Sequence, residues 1–265
     1  MVTKSQIKQI KQLKQKKHRE KTGLFVAEGK KIILDLLEAN FESLYIFSTS
    51  KNNRINSLLI SKNEMSRLTH FKNGSDYLGV FIKPLLNNES LDRINVIIAL
   101  DEISDPGNLG TIIRTCDWYG INHIICSTNT VDCFNPKVIQ ATMGSISRVF
   151  CYYQDLPSFI KNHNSKIYCT DLNSKSIYQT SFEEKSVFVF GNEAKGISNK
   201  VLINADEKIS IPKENESKSI NSLNVASSVS IVLAEATPGS IPSWFGFPIT
   251  IRENSGTYRK DLLEY

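Results

Sequence analysis

No stretch of this sequence reaches the roughly 18–20 consecutive apolar residues of a membrane-spanning helix, and residues 1–21 lack the apolar core of a secretory leader. The expectation is therefore a cytoplasmic protein with no membrane partner. Cysteines are few, odd in number (116, 126, 133, 151 and 169) and never spaced as CxxC. They sit in apolar segments, which argues against a disulfide framework and for small buried thiols. The four histidines (18, 70, 123 and 163) are scattered, with no HExxH, so no metal site is expected. A GxGxxG fingerprint, a Walker loop and a GxSxG elbow are all missing, which removes the usual signatures of dinucleotide, nucleoside triphosphate and serine-hydrolase chemistry.

Acidic residues are scarce at the beginning: residues 1–21 hold eight Lys or Arg against the single acid Glu20. Such a run is either a solvated helix face or an arm that contacts phosphates, where lysines displace counterions from nucleic acid. Charge alone leaves both open. The chain as a whole is ordinary, with 265 residues, net charge +5 and 40% hydrophobic residues, enough for one large or two modest domains.

Residues 1–83 alternate helical and strand-like patterns. IKQIKQLKQ reads as helix, GLFVAEG as strand, KKIILDLLEAN as helix, and SLYIFST and YLGVFIK as strands. Residues 84–94 bring a proline and polar residues and read as a linker. From residue 95 short apolar runs recur: NVIIAL, HIICS, RVFCYY, KIYCT, VFVF and KISI. Most are separated by helix-length segments, so the expectation over 95–236 is an α/β fold with a mostly parallel sheet covered on both faces. Residues 237–265, rich in proline and glycine, receive no assignment.

Three loops stand where such a sheet places its ligand, beyond the carboxyl ends of strands. DPGNLG follows NVIIAL and opens a helix whose core face is Leu109, Ile112, Ile113 and Cys116, with Arg114 off that face. GNEAKGIS follows VFVF. PKENESKSINSLNVASS follows KISI and enters the apolar helix NVASSVSIVLAEA. Singly each is weak: Asn108 could be a helix N-cap, Arg114 a surface ion-pair residue, Glu193 a solvated turn residue, and Ser222 or Asn224 a cap of the last helix.

Together, NLGTIIRT, VFGNEAKGIS and ISIP…SLNVASSVSIVLAEA resemble the three motifs of the SpoU (TrmH-type) RNA ribose 2′-O-methyltransferases, of the SPOUT class. The resemblance covers roughly 95–236, and KTGLFVAEGKKIILDLL resembles the family's small ribosomal-protein-like RNA-binding domain. It implies a trefoil knot, a homodimer whose active site borders the partner subunit, and S-adenosylmethionine as cofactor. Position by position it implies catalytic roles for Asn108, Arg114, Glu193, Ser222 and Asn224. Gly191, Asn192, Ile211 and Leu223 would contact the cofactor, with Thr170 and Leu172 lining its pocket. Lys14, Lys16, Lys17 and Arg19 would contact RNA, ribosomal more than transfer RNA.

The residue types suit the reaction. A ribose hydroxyl is a poor nucleophile, so it must be aligned with an activated methyl and helped to lose its proton. Arginine is a fixed cation, so Arg114 is expected to orient the target phosphate and stabilise alkoxide charge, held by Glu193 and Asn108. Two departures stand out: the third loop is longer and more charged than the family pattern, and the last 29 residues do not match it. The alternatives are a non-catalytic RNA-binding or ribosome-assembly factor on the same fold, and an unrelated nucleotide-binding α/β protein.

Overall fold

A computed structural model describes residues 2–86, 91–213 and 222–237. The amino-terminal part is a four-stranded sheet with helices on its faces. Helix α1 (Lys4–Gln12) starts on a capping box: Thr3 accepts the Gln6 amide, and the Gln6 side chain returns to the Thr3 backbone. The lysine-rich run is one helix only to Gln12; a break follows before α2 (Lys16–Thr22), which ends at Gly23 with φ +66. Strand β1 (Leu24–Glu28), helix α3 (Lys30–Glu38) and strand β2 (Ser43–Ser48) lie where the periodicity puts them. A two-residue strand β3 (Leu58–Leu59) and helix α4 (Lys62–Leu68) were not legible, before strand β4 (Tyr77–Ile82). The order is β1-β4-β2-β3. Alternate residues of its strands face opposite sides: Leu24, Val26, Leu78 and Val80 pack on Ile10, Leu13, Met65 and Leu68, while Phe25, Ala27 and Phe81 face the other way, into the large central core.

The second part is a six-stranded sheet in the order β10-β8-β9-β5-β6-β7, and each neighbouring pair is parallel. Its strands are β5 (Val96–Asp101), β6 (His123–Ser127), β7 (Phe150–Gln154), β8 (Lys166–Ser176), β9 (Ser186–Gly191) and β10 (Glu207–Ser210). Period-two alternation divides them between two cores. Ile98, Leu100, Ile124 and Phe188 meet helices α5 (Pro106–Trp118), α6 (Pro136–Thr142) and α9 (Val225–Ala236). Ile97, Ala99, Ile125 and Val187 meet α7 (Leu156–Asn162) and α8 (Asn199–Leu202). Both faces are thus covered, as the near-continuous apolar runs required. All five cysteines are buried and free; burial pushes the Cys169 thiol up to about 12, so it is no nucleophile at neutral pH. No helix among the described residues is long and apolar enough to cross a membrane. The expected tail, from 238 on, lies outside the described residues.

The two parts share one core, and Arg19 is the pin between them. The phosphate-arm reading of the basic run assigns Arg19 to RNA, yet its side chain is 1% exposed. Its Nε donates to Asp132 Oδ2 at 2.7 Å, Nη2 reaches the same oxygen at 2.7 Å, and Nη1 donates to the carbonyls of Leu13 and Lys14. A cation whose donors end inside the protein has nothing to offer a phosphate, so Arg19 belongs to the seam. Phe25 lies 4.7 Å from Phe134 beside it, and Lys31 donates to the Met143 carbonyl across the same boundary. Arg148 closes the far side, pairing with Asp117 at 2.7 Å and Asp35 at 3.7 Å. Removing one partner of a buried pair strands the other charge. Asp132→Ala is expected to lower unfolding free energy by about 3–5 kcal/mol in urea titration, whereas the apolar double variant Arg19→Met/Asp132→Leu is expected to lose much less.

Candidate active site

Helix α5 begins earlier than the DPGNLG reading placed it. Asp105 is the N-cap, its Oδ1 accepting the Asn108 amide at 2.8 Å, and Pro106 takes the first helical position. Asn108 is therefore not the cap, and its side chain is free for long-range contact. Its Nδ2 donates to Glu193 Oε1 at 2.6 Å, across 85 residues of sequence. Its Oδ1 accepts from Asn224 Nδ2 at 2.9 Å. Asn224 does cap α9, its Oδ1 accepting the amides of Ala226 and Ser227, and this orients its amide so that the nitrogen faces Asn108. One line of hydrogen bonds, Asn224 to Asn108 to Glu193, joins the three loops.

The loop after β9 is drawn tight. Asn192 and Gly196 exchange backbone hydrogen bonds at 3.1 and 2.8 Å, and Gly196 has φ +70, which glycine adopts without strain. The contact is so close that a Cβ on Gly191 would lie 2.2 Å from the Gly196 carbonyl carbon. Asn192 Oδ1 accepts the amides of Ala194 and Lys195, curling the loop around Glu193.

Between this loop, β8 and the start of α9 lies a cavity of about 550 Å³. It is lined by Thr170, Leu172, Gly191, Asn192, Glu193, Ile211, Ser222 and Leu223, with Phe190, Ile209, Val225 and Val232 as its apolar wall. All six residues expected at the cofactor therefore come together. Thr170 and Leu172 reach it because β8 bulges: Cys169 pairs with Lys208 and Lys175 with Ile209, leaving 170–174 out of the ladder. The volume and mixed lining suit a nucleoside-sized ligand with a polar end at Glu193 and an apolar wall for a flat ring. Residues 214–221 of the long third loop lie outside the described residues. Among those described, no group of three or more His, Cys, Asp and Glu could hold a metal ion.

Arg114 stands apart. It is exposed, and among the described residues it makes no hydrogen bond or ion pair. Six residues along α5 from Asn108, at about 100° per residue, it is turned to another face of the helix. Glu193 and Asn108, expected to hold the guanidinium, bind each other instead. Thr111, Arg114 and Trp118 form an exposed stripe on α5, with Trp118 73% exposed, and Thr115 lies 3.4 Å from Ser230 of the neighbouring α9. Lys14, Lys16 and Lys17 are exposed around the break between α1 and α2; Lys16 lies 3.8 Å from Glu20. Two acids at the end of β5 were missed. Asp101 is 5% exposed and accepts the Ser198 amide at 2.8 Å. Glu102 has φ +57, and hydrogen bonds from Asn129 and Lys195 hold its carboxyl below the usual range. The DE pair was visible but carried no motif.

Comparison with known proteins follows the same division. The SpoU rRNA methylase family model matches residues 95–234, and the MRM3-like substrate binding domain matches residues 4–74. The 23S rRNA (guanosine(2553)-2′-O)-methyltransferase RlmP of Bacillus subtilis is 27% identical over 227 residues, spanning 82% of this chain and 90% of that protein. A TrmH-family protein from Porphyromonas gingivalis superposes with TM-score 0.79 at 28% identity, over 89% of this chain and 98% of that one. An AdoMet-bound rRNA methyltransferase from Sinorhizobium meliloti superposes with TM-score 0.76 at 28% identity, over 90% and 96%.

The tightness of the second loop has a direct test. Gly191→Ala must push backbone against backbone, a strain of about 1–3 kcal/mol. It is expected to weaken binding of S-adenosylhomocysteine about tenfold or more by calorimetry, with a lowered Tm.

Proposed function

The chain belongs to the SpoU rRNA methylase family, and from that premise we infer that it transfers a methyl group from S-adenosylmethionine to a ribose 2′-hydroxyl of ribosomal RNA, in the cytoplasm. The observation that carries this reading is the line Asn224–Asn108–Glu193, which ends at the mouth of the cavity. It ties all three motif loops to one point, as a transferase needs if acceptor and donor are to meet in line.

Bound in this cavity, the cofactor supplies a methyl group on a sulfonium, an electrophile that needs no further activation. Phe190, Ile209, Val225 and Val232, which line the cavity, would hold its flat base, and Gly191, Ile211 and Leu223 would offer it main-chain groups. Asn108 fixes the carboxylate of Glu193 and is itself fixed by Asn224, so the polar end of the cavity is set before substrate arrives. Ser222, exposed beside Leu223, would offer its hydroxyl to the ribose or its phosphate. The hydroxyl's developing negative charge needs a cation, and Arg114 is the motif residue that carries one.

Because Arg114 has no partner among the described residues and points off the Asn108 face, the reading places it in the site of a second copy. The Thr111–Arg114–Trp118 stripe would be the surface along which two copies meet, since an exposed tryptophan beside an arginine is characteristic of interfaces. In that arrangement the guanidinium orients the RNA phosphate and stabilises the alkoxide. The trefoil knot implied by the resemblance belongs to the same proposal. It would be made by threading the carboxyl-terminal part of the catalytic domain through a loop.

RNA would be held by the amino-terminal part. Residues 1–83 contain 16 of the 32 Lys and Arg but seven of the 27 Asp and Glu, so the excess positive charge lies there. A surface of this kind grips phosphates and RNA shape and does not read duplex edges. Since Arg19 is internal, the arm's phosphate contacts would fall to its exposed lysines, Lys14, Lys16 and Lys17 among them.

The direct test is transfer of labelled methyl to total RNA from a strain lacking this protein. Label in ribosomal RNA at an alkali-resistant linkage is expected. Arg114→Ala is expected to reduce kcat about 10²–10³-fold while leaving S-adenosylhomocysteine affinity within threefold. Mixing Arg114→Ala with an inactive Asn108→Ala protein is expected to restore part of the activity, and failure to do so would remove Arg114 from the partner's site. Neutralising Lys14, Lys16 and Lys17 together is expected to reduce the slope of log K against log salt by about 2–3. An unchanged slope would show that the arm is only a solvated face.

A further inference from the structure

Glu102, the first residue past β5, has a left-handed backbone with φ +57. Glycine adopts this conformation without penalty, whereas a side chain holds it only when its surroundings impose it. Each polar group of Glu102 is engaged. Its amide donates to Ser127 Oγ at 2.8 Å, and its carbonyl accepts Asn192 Nδ2 at 2.9 Å. Its carboxylate accepts Asn129 Nδ2 at 3.0 Å and lies 3.4 Å from Lys195 Nζ. These partners come from the end of β6 and from the loops after β6 and β9, so one residue stitches three strand ends together.

The stitch bears on the site through Asn192. With Nδ2 fixed on the Glu102 carbonyl, its Oδ1 accepts the amides of Ala194 and Lys195 at 2.9 and 3.1 Å. Glu193 lies between these anchored positions. Asp101 fixes the other end of the loop by accepting the Ser198 amide. The loop carrying Glu193 is therefore clamped at both ends by adjacent residues of the central strand. Lys195, 76% exposed in its side chain, is drawn back along this clamp by the Glu102 carboxylate.

We propose that Glu102 is a positioning residue for the transfer reaction, its carboxylate acting through Lys195 to steady the loop that holds Glu193 against Asn108, while its backbone carbonyl anchors Asn192 whatever the side chain; the proposal rests on the methyltransferase reading above. The strained backbone and the two carboxylate contacts are separable. Glycine in place of Glu102 relaxes the backbone but removes the hold on Lys195 and Asn129. A purely structural residue and a positioning residue then respond in opposite ways.

The test compares full-length wild type, Glu102→Gly, Glu102→Gln and Glu102→Gly/Lys195→Met. For Glu102→Gly the expected result is an unchanged or higher Tm, with kcat reduced about 10- to 100-fold and both KM values within threefold. Glu102→Gln, which keeps an acceptor for Asn129 but not the charge, is expected to lie between. The double variant is expected to be no worse than Glu102→Gly. Hydrogen exchange of the Ala194 and Lys195 amides reads the clamp without any activity and is expected to quicken in Glu102→Gly. A kcat within twofold of wild type, a loss of activity that only follows a lowered Tm, or unchanged exchange would each overturn the proposal. If the wild-type protein itself transfers no methyl to RNA, the methyltransferase reading falls first. Quickened exchange in the variant would then mark Glu102 as a loop clamp with no reaction to serve, which also overturns the positioning role.

Discussion

Parallel pairing of six strands is the constraint from which the rest follows. Each inner strand must be covered on both faces, so its residues alternate between two apolar cores and leave no room for polar chemistry along their length. Polar groups are pushed to the strand ends, where backbone donors and acceptors no longer have ladder partners. The motif loops sit there because that is where a buried parallel sheet first meets water. Strand β5 is central in this respect, since Asp101, Glu102, Asp105 and Asn108 follow one another from its end into α5. Among them they bond to the end of β6 and the loop after it, to the loop after β9 and to the cap of α9.

The amino-terminal part is held by a different kind of interaction. Its seam with the sheet is largely apolar, yet it turns on one buried ion pair, Arg19 with Asp132. Such a pair adds little stability compared with apolar residues of similar size, but it tolerates one geometry only. Arg19 also binds the carbonyls that end α1, so the break between α1 and α2 is locked by the same guanidinium. The exposed lysines at that break are thus carried on a fixed base relative to the cavity. The proposed RNA grip and the proposed methyl transfer are then set at a constant distance within one chain.

Among the described residues, those expected at the cofactor gather in one place and those expected in catalysis do so only in part. The six residues expected around the cofactor line one cavity, and three of the five expected in catalysis are joined by direct hydrogen bonds. Ser222 lines the cavity without joining that line, and Arg114 lies apart from both, for an angular reason. It lies on the same helix as Asn108, but helical geometry turns it toward solvent. A motif read along a line of sequence does not say which residues share a face across three loops.

What the sequence determined by itself is the pattern of burial. The alternating apolar runs specified a covered parallel sheet, and the three polar loops specified where its ligand meets it, because both are local consequences of period and turn chemistry. Loss of periodicity explains what was not legible: the two-residue β3, the bulge at 170–174 and the early start of α5 depend on pairing or capping partners. Only the tertiary structure decided which charges reach solvent. Arg19 and Lys17 are two residues apart in a basic run, yet one is sealed against Asp132 and the other faces water. That difference is made by a partner 113 residues away, and no local pattern in the chain contains it.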